Sequence, residues 1–425
     1  MPTKASHTEK VQKLRKALYE RAKREPGLRF YSLYDKVYRE DVLAHGYARC
    51  RANHGAAGPD GVTFEDIERG GGPGSMLARL AEELKTKKYT PGPVRRVYIP
   101  KADGGERPLG IPDIRDRVVA MAVKLVLEPI FEADFDADSY GFRPGRDAHQ
   151  ALAAVRESIA DGMPWLVDAD VSKCFDTIPH DKLLRTVASR VVDGSMLALI
   201  KKMLKAPVVD ERDGGRRTRP RAGTPQGGPA SPLLANIYLH LLDRNFRKHV
   251  ERGDLQGRLV RYADDFVVVC PRPPGREKEW AAHLMERLGL TLHPEKTRVV
   301  HVGEEWVNFL GYKIRRRPNG RVALDIADRA KTRIRDTLRE VTRRTYLSLE
   351  DLISELSVYI RGACEYFRLA EPRTLWNLDR FVLARIARWS RHKRVRRHPE
   401  WSLARGGPLY REHGLATWWR PRKPA

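Results

Sequence analysis

The sequence predicts an α+β fold in which antiparallel hairpins and helices share most of the chain and helices alone make up its end. Three observations carry this. Short apolar runs about tight turns, at 94–112 and 258–270, have the length and punctuation of antiparallel hairpins. Stretches such as 116–133 and 233–250 have helical length and an apolar face. From Arg315 onward strand patterns give way to helical ones and basic residues accumulate.

Taken in order, residues 8–50 read as helical, with Leu14, Leu18, Leu33, Val37 and Val42 at loosely helical spacing. Gly55–Gly61 is a loop, since Gly and Pro break both regular patterns. Val94–Pro100 reads as a strand, Asp103-Gly104-Gly105 as a turn and Arg107–Pro112 as the continuation. An apolar helix is expected over 116–133, a strand over Trp165–Val171, a helix after His180 and another over 233–250. Arg258–Cys270 is two apolar runs about a turn. Beyond residue 320 come helices, one opened by Ser348 with Asp351 three residues on, a capping pattern, and buried along Leu352, Leu356, Tyr359 and Ile360. Four parts follow: a helical extension (1–54), a loop-and-hairpin part (55–164), a part holding the acidic hairpin (165–314) and a basic helical part (315–425).

At 425 residues and 48.6 kDa the chain exceeds the roughly 250–300 residues that one core covers, which excludes a small stapled module. The 80 Lys plus Arg against 55 Asp plus Glu leave a formal +25, which favours a polyanion as partner, and 41% hydrophobic residues exclude a disordered basic tail. Residues 311–425 hold 28 Lys plus Arg against 12 Asp plus Glu, so +16 of the excess lies there. Cys50, Cys174, Cys270 and Cys364 stand far apart with no CxxC pair, as suits a reduced, intracellular compartment. The N-terminal stretch is polar and carries Glu, unlike a signal or transit peptide, and no segment reaches the roughly 18 apolar residues of a membrane span. A cytoplasmic, nucleoid-associated protein with no membrane partner is expected; its oligomeric state is left open.

Tyr262-Ala263-Asp264-Asp265 puts two adjacent carboxylates at the bend of an apolar hairpin, where they repel unless a cation compensates. An isolated Asp-Asp is commonly a solvated turn. Here the apolar flanks hold the tip in a structured place. Asp168 and Asp170 close another strand and share one of its faces by alternation. If that strand end lies beside the hairpin, three carboxylates converge, a donor set suited to two hard Mg²⁺ ions and to nucleotidyl transfer.

In this order, IPKADGGERPLGIPDIRDR, SYGFRPGRDAHQAL, DADVSKCFDTIPHDKL, GTPQGGPASPLLANIYL, RYADDFVVVC, LGLTLHPEKT with FLGY, and IRGACEYFR resemble the motifs of the group II intron-encoded reverse transcriptase/maturase family, from about residue 33 to 420. The resemblance implies a right-hand polymerase with fingers (55–164) and palm (165–314), then an α-helical thumb and maturase region (315–425). It implies an RNA-directed DNA polymerase using two Mg²⁺, with Mn²⁺ able to substitute, that takes dNTPs, an RNA template and a DNA primer or target, and binds its structured intron RNA to assist splicing and retrohoming.

Carried over by motif, Asp170, Asp264 and Asp265 match the metal-binding triad, and Val171 the residue whose carbonyl adds a ligand. Asp168 is not part of that triad and is read as supporting or solvated, and Asp176 as structural rather than a metal ligand. Lys101 and Arg107 match triphosphate-binding positions. Phe175 matches the bulky residue that crowds the sugar 2′ position, its alternative being an ordinary core Phe. Gln226 and Gly227 match the segment lining the nucleotide pocket, and Lys296 a lysine proposed to protonate pyrophosphate, its alternative being a solvated Lys. Phe309-Leu310-Gly311-Tyr312 matches the primer grip, which hydrophobic packing also explains. Arg143 and Arg146 either contact template backbone or brace the fingers. Arg385, Arg388 and Arg391, with Trp389 between them and RHKRVRRH following, suit phosphate contacts and base stacking on RNA.

Two departures stand out. Ala363 in IRGACEYF occupies a position that is aromatic in many members, and the sequence given reaches Ala425 without a Cys/His-bearing endonuclease region, so second-strand cleavage is not expected. Two other readings stay open: a free-standing enzyme adopted for phage defence or DNA repair, and a splicing-only RNA-binding maturase. A recombinase is disfavoured, for want of basic residues clustered about a nucleophilic Tyr or Ser.

Overall fold

Strands form where the apolar runs and turns place them. A computed structural model describes residues 6–100, 105–225, 227–392 and 408–418. In chain order these hold β1 (Val94–Pro100), β2 (Glu106–Pro112), β3 (Trp165–Asp170), β4 (Val208–Asp210), β5 (Arg216–Thr218), β6 (Arg258–Tyr262), β7 (Asp265–Cys270), β8 (Arg298–His301), β9 (Val307–Phe309), β10 (Tyr312–Arg316) and β11 (Val322–Ile326). The expected helix over 8–50 is broken: helices His7–Arg24 and Glu40–Ala52 flank Pro26-Gly27 and the single turn Tyr34–Val37. Ser6 opens the first, accepting from the Glu9 N–H while the Glu9 carboxylate accepts from the Ser6 N–H at 2.8 Å.

The described chain forms two compact units, one of residues 1–151 and 167–299, the other of 152–166 and 300–425. In the first, β1 and β2 make the expected hairpin, registered Val94 to Pro112, and β4 adds in parallel to β1, giving the order β2-β1-β4-β5. A second sheet has the order β6-β7-β3-β8. Helix Ile114–Glu132 is apolar nearly all round, so it is buried nearly all round, with helices His7–Arg24 and Glu40–Ala52 packed on it.

In the second unit β11-β10-β9 is antiparallel and precedes helices Asp328–Val341, Leu349–Tyr366 and Pro372–His392. Ser348 caps the middle one, accepting from the Asp351 N–H at 3.1 Å. A boundary was expected between residues 314 and 315, yet the compact units part between 299 and 300. The small sheet goes with the helices because Tyr312, fully buried, packs its ring 5.4 Å from Phe367 and donates its hydroxyl to the Tyr366 carbonyl.

Among the described residues no helix is long and apolar enough to cross a membrane. All four cysteines are buried, and none of them forms a disulfide. Burial pushes the Cys50 thiol up to about 11 and Cys270 up to about 12.

Candidate active site

The β6–β7 hairpin pairs Tyr262 with Asp265, so Ala263 and Asp264 form its two-residue turn. Ala263 lies in the left-handed region, φ 57°, the hand that primed hairpin turns require. Three side chains fix this turn from behind. Arg261, with none of its side chain exposed, donates Nε to Asp243 Oδ1 at 2.8 Å and Nη2 to Oδ2 at 2.6 Å. Its Nη1 donates to Asn236 Oδ1 and to the Ala263 carbonyl, both at 2.9 Å. Asn236 in turn donates to the Gly141 carbonyl at 2.7 Å. Gly141 must be glycine, for a Cβ there would lie 2.3 Å from the Ala263 nitrogen.

Beside the hairpin, β3 ends at Asp170. The His293 N–H donates to the Asp170 carbonyl and the Ser172 N–H to the Thr291 carbonyl, each at 2.8 Å. Val171 and Leu292 are therefore the non-bonded pair of an antiparallel bridge, and the Val171 carbonyl turns away from that edge, toward the β7 side.

The carboxylates feel one another. The Asp265 carboxyl is pushed up to about 7, first by the surrounding protein, although the residue itself is exposed at the start of β7, then by Asp264, Asp170 and Asp168, with Arg107 opposing. Burial likewise raises Asp264, against the pull of Arg107 and Arg261, and raises Asp168 to about 6, against Arg298, whose Nε is 3.8 Å away. Among the described residues no three His, Cys, Asp or Glu side chains already gather as ligands of one ion. Instead the Lys296 ammonium stands 2.9 Å from Asp170 Oδ2, a cation where the donor set invites one. Crowded oxygen donors that raise one another's pKa, with a lysine as stand-in, fit hard divalent ions.

Around the carboxylates, Arg107 is exposed on β2. Phe175, half-buried, sits on the single turn Cys174–Thr177, its carbonyl accepting from the Thr224 N–H at 2.7 Å. His180 Nε2 meets the Gly223 carbonyl at 2.7 Å, and the Gly223 N–H donates to the Ile178 carbonyl at 2.8 Å, so the loop entering 225–227 is latched to the segment that carries Phe175. Gly227 has φ 109°, and a Cβ there would lie 2.5 Å from the Gly110 carbonyl oxygen of β2, reason enough for glycine. Lys101 and Gln226 lie outside the described residues.

The structure corrects the arginines. Arg143 is a brace: it is buried, bound to Glu132 at 2.7 Å, and its Nη1 donates to the Asp136 and Ser139 carbonyls, leaving it no reach to a template. Arg146 stays exposed, 5.5 Å over the Tyr140 ring. In the second unit Arg385 is half-buried and donates Nε to Thr342 at 2.8 Å, and burial, then Arg388, Arg343 and Arg339, lower its pKa. Arg388 and Arg391 are exposed. Trp389 does not stack on bases: it is 1% exposed and donates to the Arg344 carbonyl at 3.2 Å. Residues 393–398 of the basic run lie outside the described residues. Phe309 and Tyr312 are buried register partners, and Leu310 and Gly311 form the tip, Leu310 accepting from the Tyr366 hydroxyl at 2.9 Å.

Sequence reasoning missed the Arg261–Asp243–Asn236 clamp, although an arginine inside an apolar strand three residues before Asp264 was a signal for it. It also missed Phe381, flanked by Arg335 and Arg339 at 5.7 and 5.4 Å.

Comparison with known proteins agrees with this geometry. The family model "Reverse transcriptase (RNA-dependent DNA polymerase)" matches residues 99–314, and "Group II intron, maturase-specific domain" matches 331–407. The chain is 32% identical over 351 residues to Protein YkfC of Escherichia coli (strain K12), covering 72% of this chain and 89% of that one. It is 28% identical over 433 residues to the group II intron-encoded protein LtrA of Lactococcus lactis subsp. cremoris, covering 80% and 71%. Identity is also 28% over 439 residues to an uncharacterized 91 kDa protein in the cob intron of Schizosaccharomyces pombe, covering 84% and 53%. With the polymerase model over half its length and the maturase model following, this chain belongs to the reverse transcriptase family, the RNA-directed DNA polymerases, in the group II intron-encoded form that joins a right-hand polymerase to a helical maturase region.

Proposed function

We propose that the chain copies RNA into DNA at Asp170, Asp264 and Asp265, which with the Val171 carbonyl hold two Mg²⁺ ions, and that its C-terminal arginines grip the structured RNA of a group II intron to assist splicing and retrohoming. The placement of Asp264 and Asp265 at the β6–β7 turn, with Asp170 at the end of the neighbouring strand β3, is the observation that carries this reading. What two such ions supply when bound is neutralisation of the carboxylates and the triphosphate, with activation of a primer 3′-hydroxyl.

The chain's own residues do the rest. Arg107 and Lys101 take the triphosphate oxygens of the incoming dNTP. Phe175 crowds the 2′ position of its sugar, and the Gln226–Gly227 loop, latched to the same segment through Gly223, lies along it. As the 3′-oxygen bonds to the α-phosphorus, the bond to the bridging oxygen breaks and pyrophosphate leaves. Lys296, released from Asp170, gives that leaving group a proton from Nζ. Leu310 and Gly311 present the hairpin tip to the primer. Arg388 and Arg391 meet RNA phosphates, with Arg146 on the template side.

Purified protein extends a DNA primer on an RNA template with Mg²⁺ and dNTPs, and Asp264→Ala abolishes extension while leaving RNA binding by gel shift within about twofold, a change of about 0.4 kcal/mol. Undiminished extension by that variant would end the carboxylate assignment.

A further inference from the structure

We infer that Phe142 is a positioning residue for sugar selection: its ring backs Phe175 edge-on and stiffens the surface that meets the 2′ position of an incoming nucleotide. The inference rests on the reading of Phe175 as the sugar gate.

Phe142 is held at a cost that folding does not explain. Its φ is 57°, in the left-handed region, where a bulky residue is strained. It is also 52% exposed, so a large ring gives up much of the gain that burial would bring. Strain and exposure together, beside an active site, point to a task.

The neighbours enforce the position. Gly141 is pinned on one side by the Asn236 amide at 2.7 Å and by its close approach to the Ala263 backbone. On the other side Arg143 is buried and bound to Glu132. Between two fixed residues the Phe142 backbone has little freedom to shift. It meets Phe175 at 6.4 Å between centroids with an interplanar angle of 84°, the edge-to-face arrangement that aromatic quadrupoles favour. Phe175 needs such support: it rides on a single helical turn preceded by Lys173 in the left-handed region, and it is only partly buried. A ribonucleotide hydroxyl pressing on an unsupported ring could displace it; on a backed ring it meets resistance. The same loop thus leans on the catalytic turn through Gly141 and on the gate through Phe142.

The test is single-nucleotide incorporation of dCTP against CTP on an RNA template with a DNA primer, read as the ratio of kcat/KM values. An edge-to-face pair worth about 0.5–1.5 kcal/mol corresponds to about a two- to tenfold loss of discrimination in Phe142→Ala and Phe142→Asn. Phe142→Tyr, which keeps the ring, should retain the wild-type ratio. Phe142→Asn, whose side chain tolerates the left-handed backbone, should melt no lower than wild type while discriminating less, an outcome a merely structural role would not give. In a Phe175→Ala background Phe142→Ala should add nothing. If Phe175→Ala discriminates like wild type, the gate reading itself fails. If Phe175→Ala loses discrimination and Phe142→Ala does not, or the two losses multiply, the role of Phe142 is overturned and the gate stands. A Phe142→Ala effect confined to KM for template-primer also overturns it, in favour of a template contact.

Discussion

Replacing Arg261 by Met should unfold the protein more readily and silence it, and the two effects should come apart in a second variant. Arg261 and Asp243 have 0% and 1% of their side chains exposed. Burial works to raise the Asp243 carboxyl, yet the Arg261 guanidinium and His240 hold it below the usual carboxylate range. Arg261→Met strips that carboxylate of its two short bonds and leaves His240, 3.6 Å away, as its remaining ion-pair partner. Breaking a buried pair by removing one member costs about 3–5 kcal/mol. In Arg261→Met/Asp243→Leu no charge is buried, and such apolar replacements return to within about 1–2 kcal/mol of wild type. The Ala263 carbonyl, however, loses its donor in both variants. A buried acceptor left unsatisfied costs about 1–3 kcal/mol, which at the catalytic turn corresponds to about five- to 150-fold slower extension. Urea unfolding in EDTA reads the stability and primer extension with Mg²⁺ reads the rate. A double variant that regains both stability and extension would refute the clamp.

Three further substitutions have definite expected outcomes, one in the first unit and two in the second. Because the folded Asp265 carboxyl titrates near 7, above its ordinary 3.8, it carries no penalty at low pH and a growing one as pH rises through that interval. In EDTA, Asp265→Asn should therefore melt above wild type at pH 8 and level with it at pH 4, and added Mg²⁺ should erase the difference at pH 8; equal melting at both pH values would remove the repulsion from the account. In the second unit Arg388→Ala should leave melting unchanged and lower the salt slope of RNA binding by about one, whereas Trp389→Ala should cost about 3–5 kcal/mol of core stability; an Arg388→Ala variant with the wild-type slope would remove that arginine from the RNA surface.

Chemistry in this chain was legible where it is written in contiguous runs. Asp264 and Asp265 sit in one tetrapeptide between apolar strands, and Asp168 and Asp170 close another, so alternation and turn chemistry put each pair at a strand end, while the motif order and not the spacing implied that the two ends are neighbours. Support was not legible, because it is assembled across the chain. Asn236 and Asp243 lie 25 and 18 residues before Arg261, and Gly141 lies 95 before Asn236. No periodicity reports such a meeting. The arginines show the opposite limit: for Arg143 the motif left template contact and bracing both open and burial selects the brace, while spacing alone made Arg385 and Arg391 look alike and burial separates a partial brace from an exposed charge. Likewise a Trp beside arginines reads as a stacking platform until its depth is known, and Trp389 belongs to the hydrophobic core.

The four buried thiols have a practical meaning of their own. Cys50 lies on helix Glu40–Ala52, Cys174 beside Phe175, Cys270 at the end of β7 and Cys364 on helix Leu349–Tyr366. Sulfur reacts as thiolate, and a thiol shut away from solvent cannot meet a maleimide or a peroxide until its surroundings open. Nature has thus spaced four chemical clocks through the chain. Their labelling rates, resolved by peptide mass, time the local opening of each region separately, and nucleic acid or dNTP that closes one region will slow its own clock.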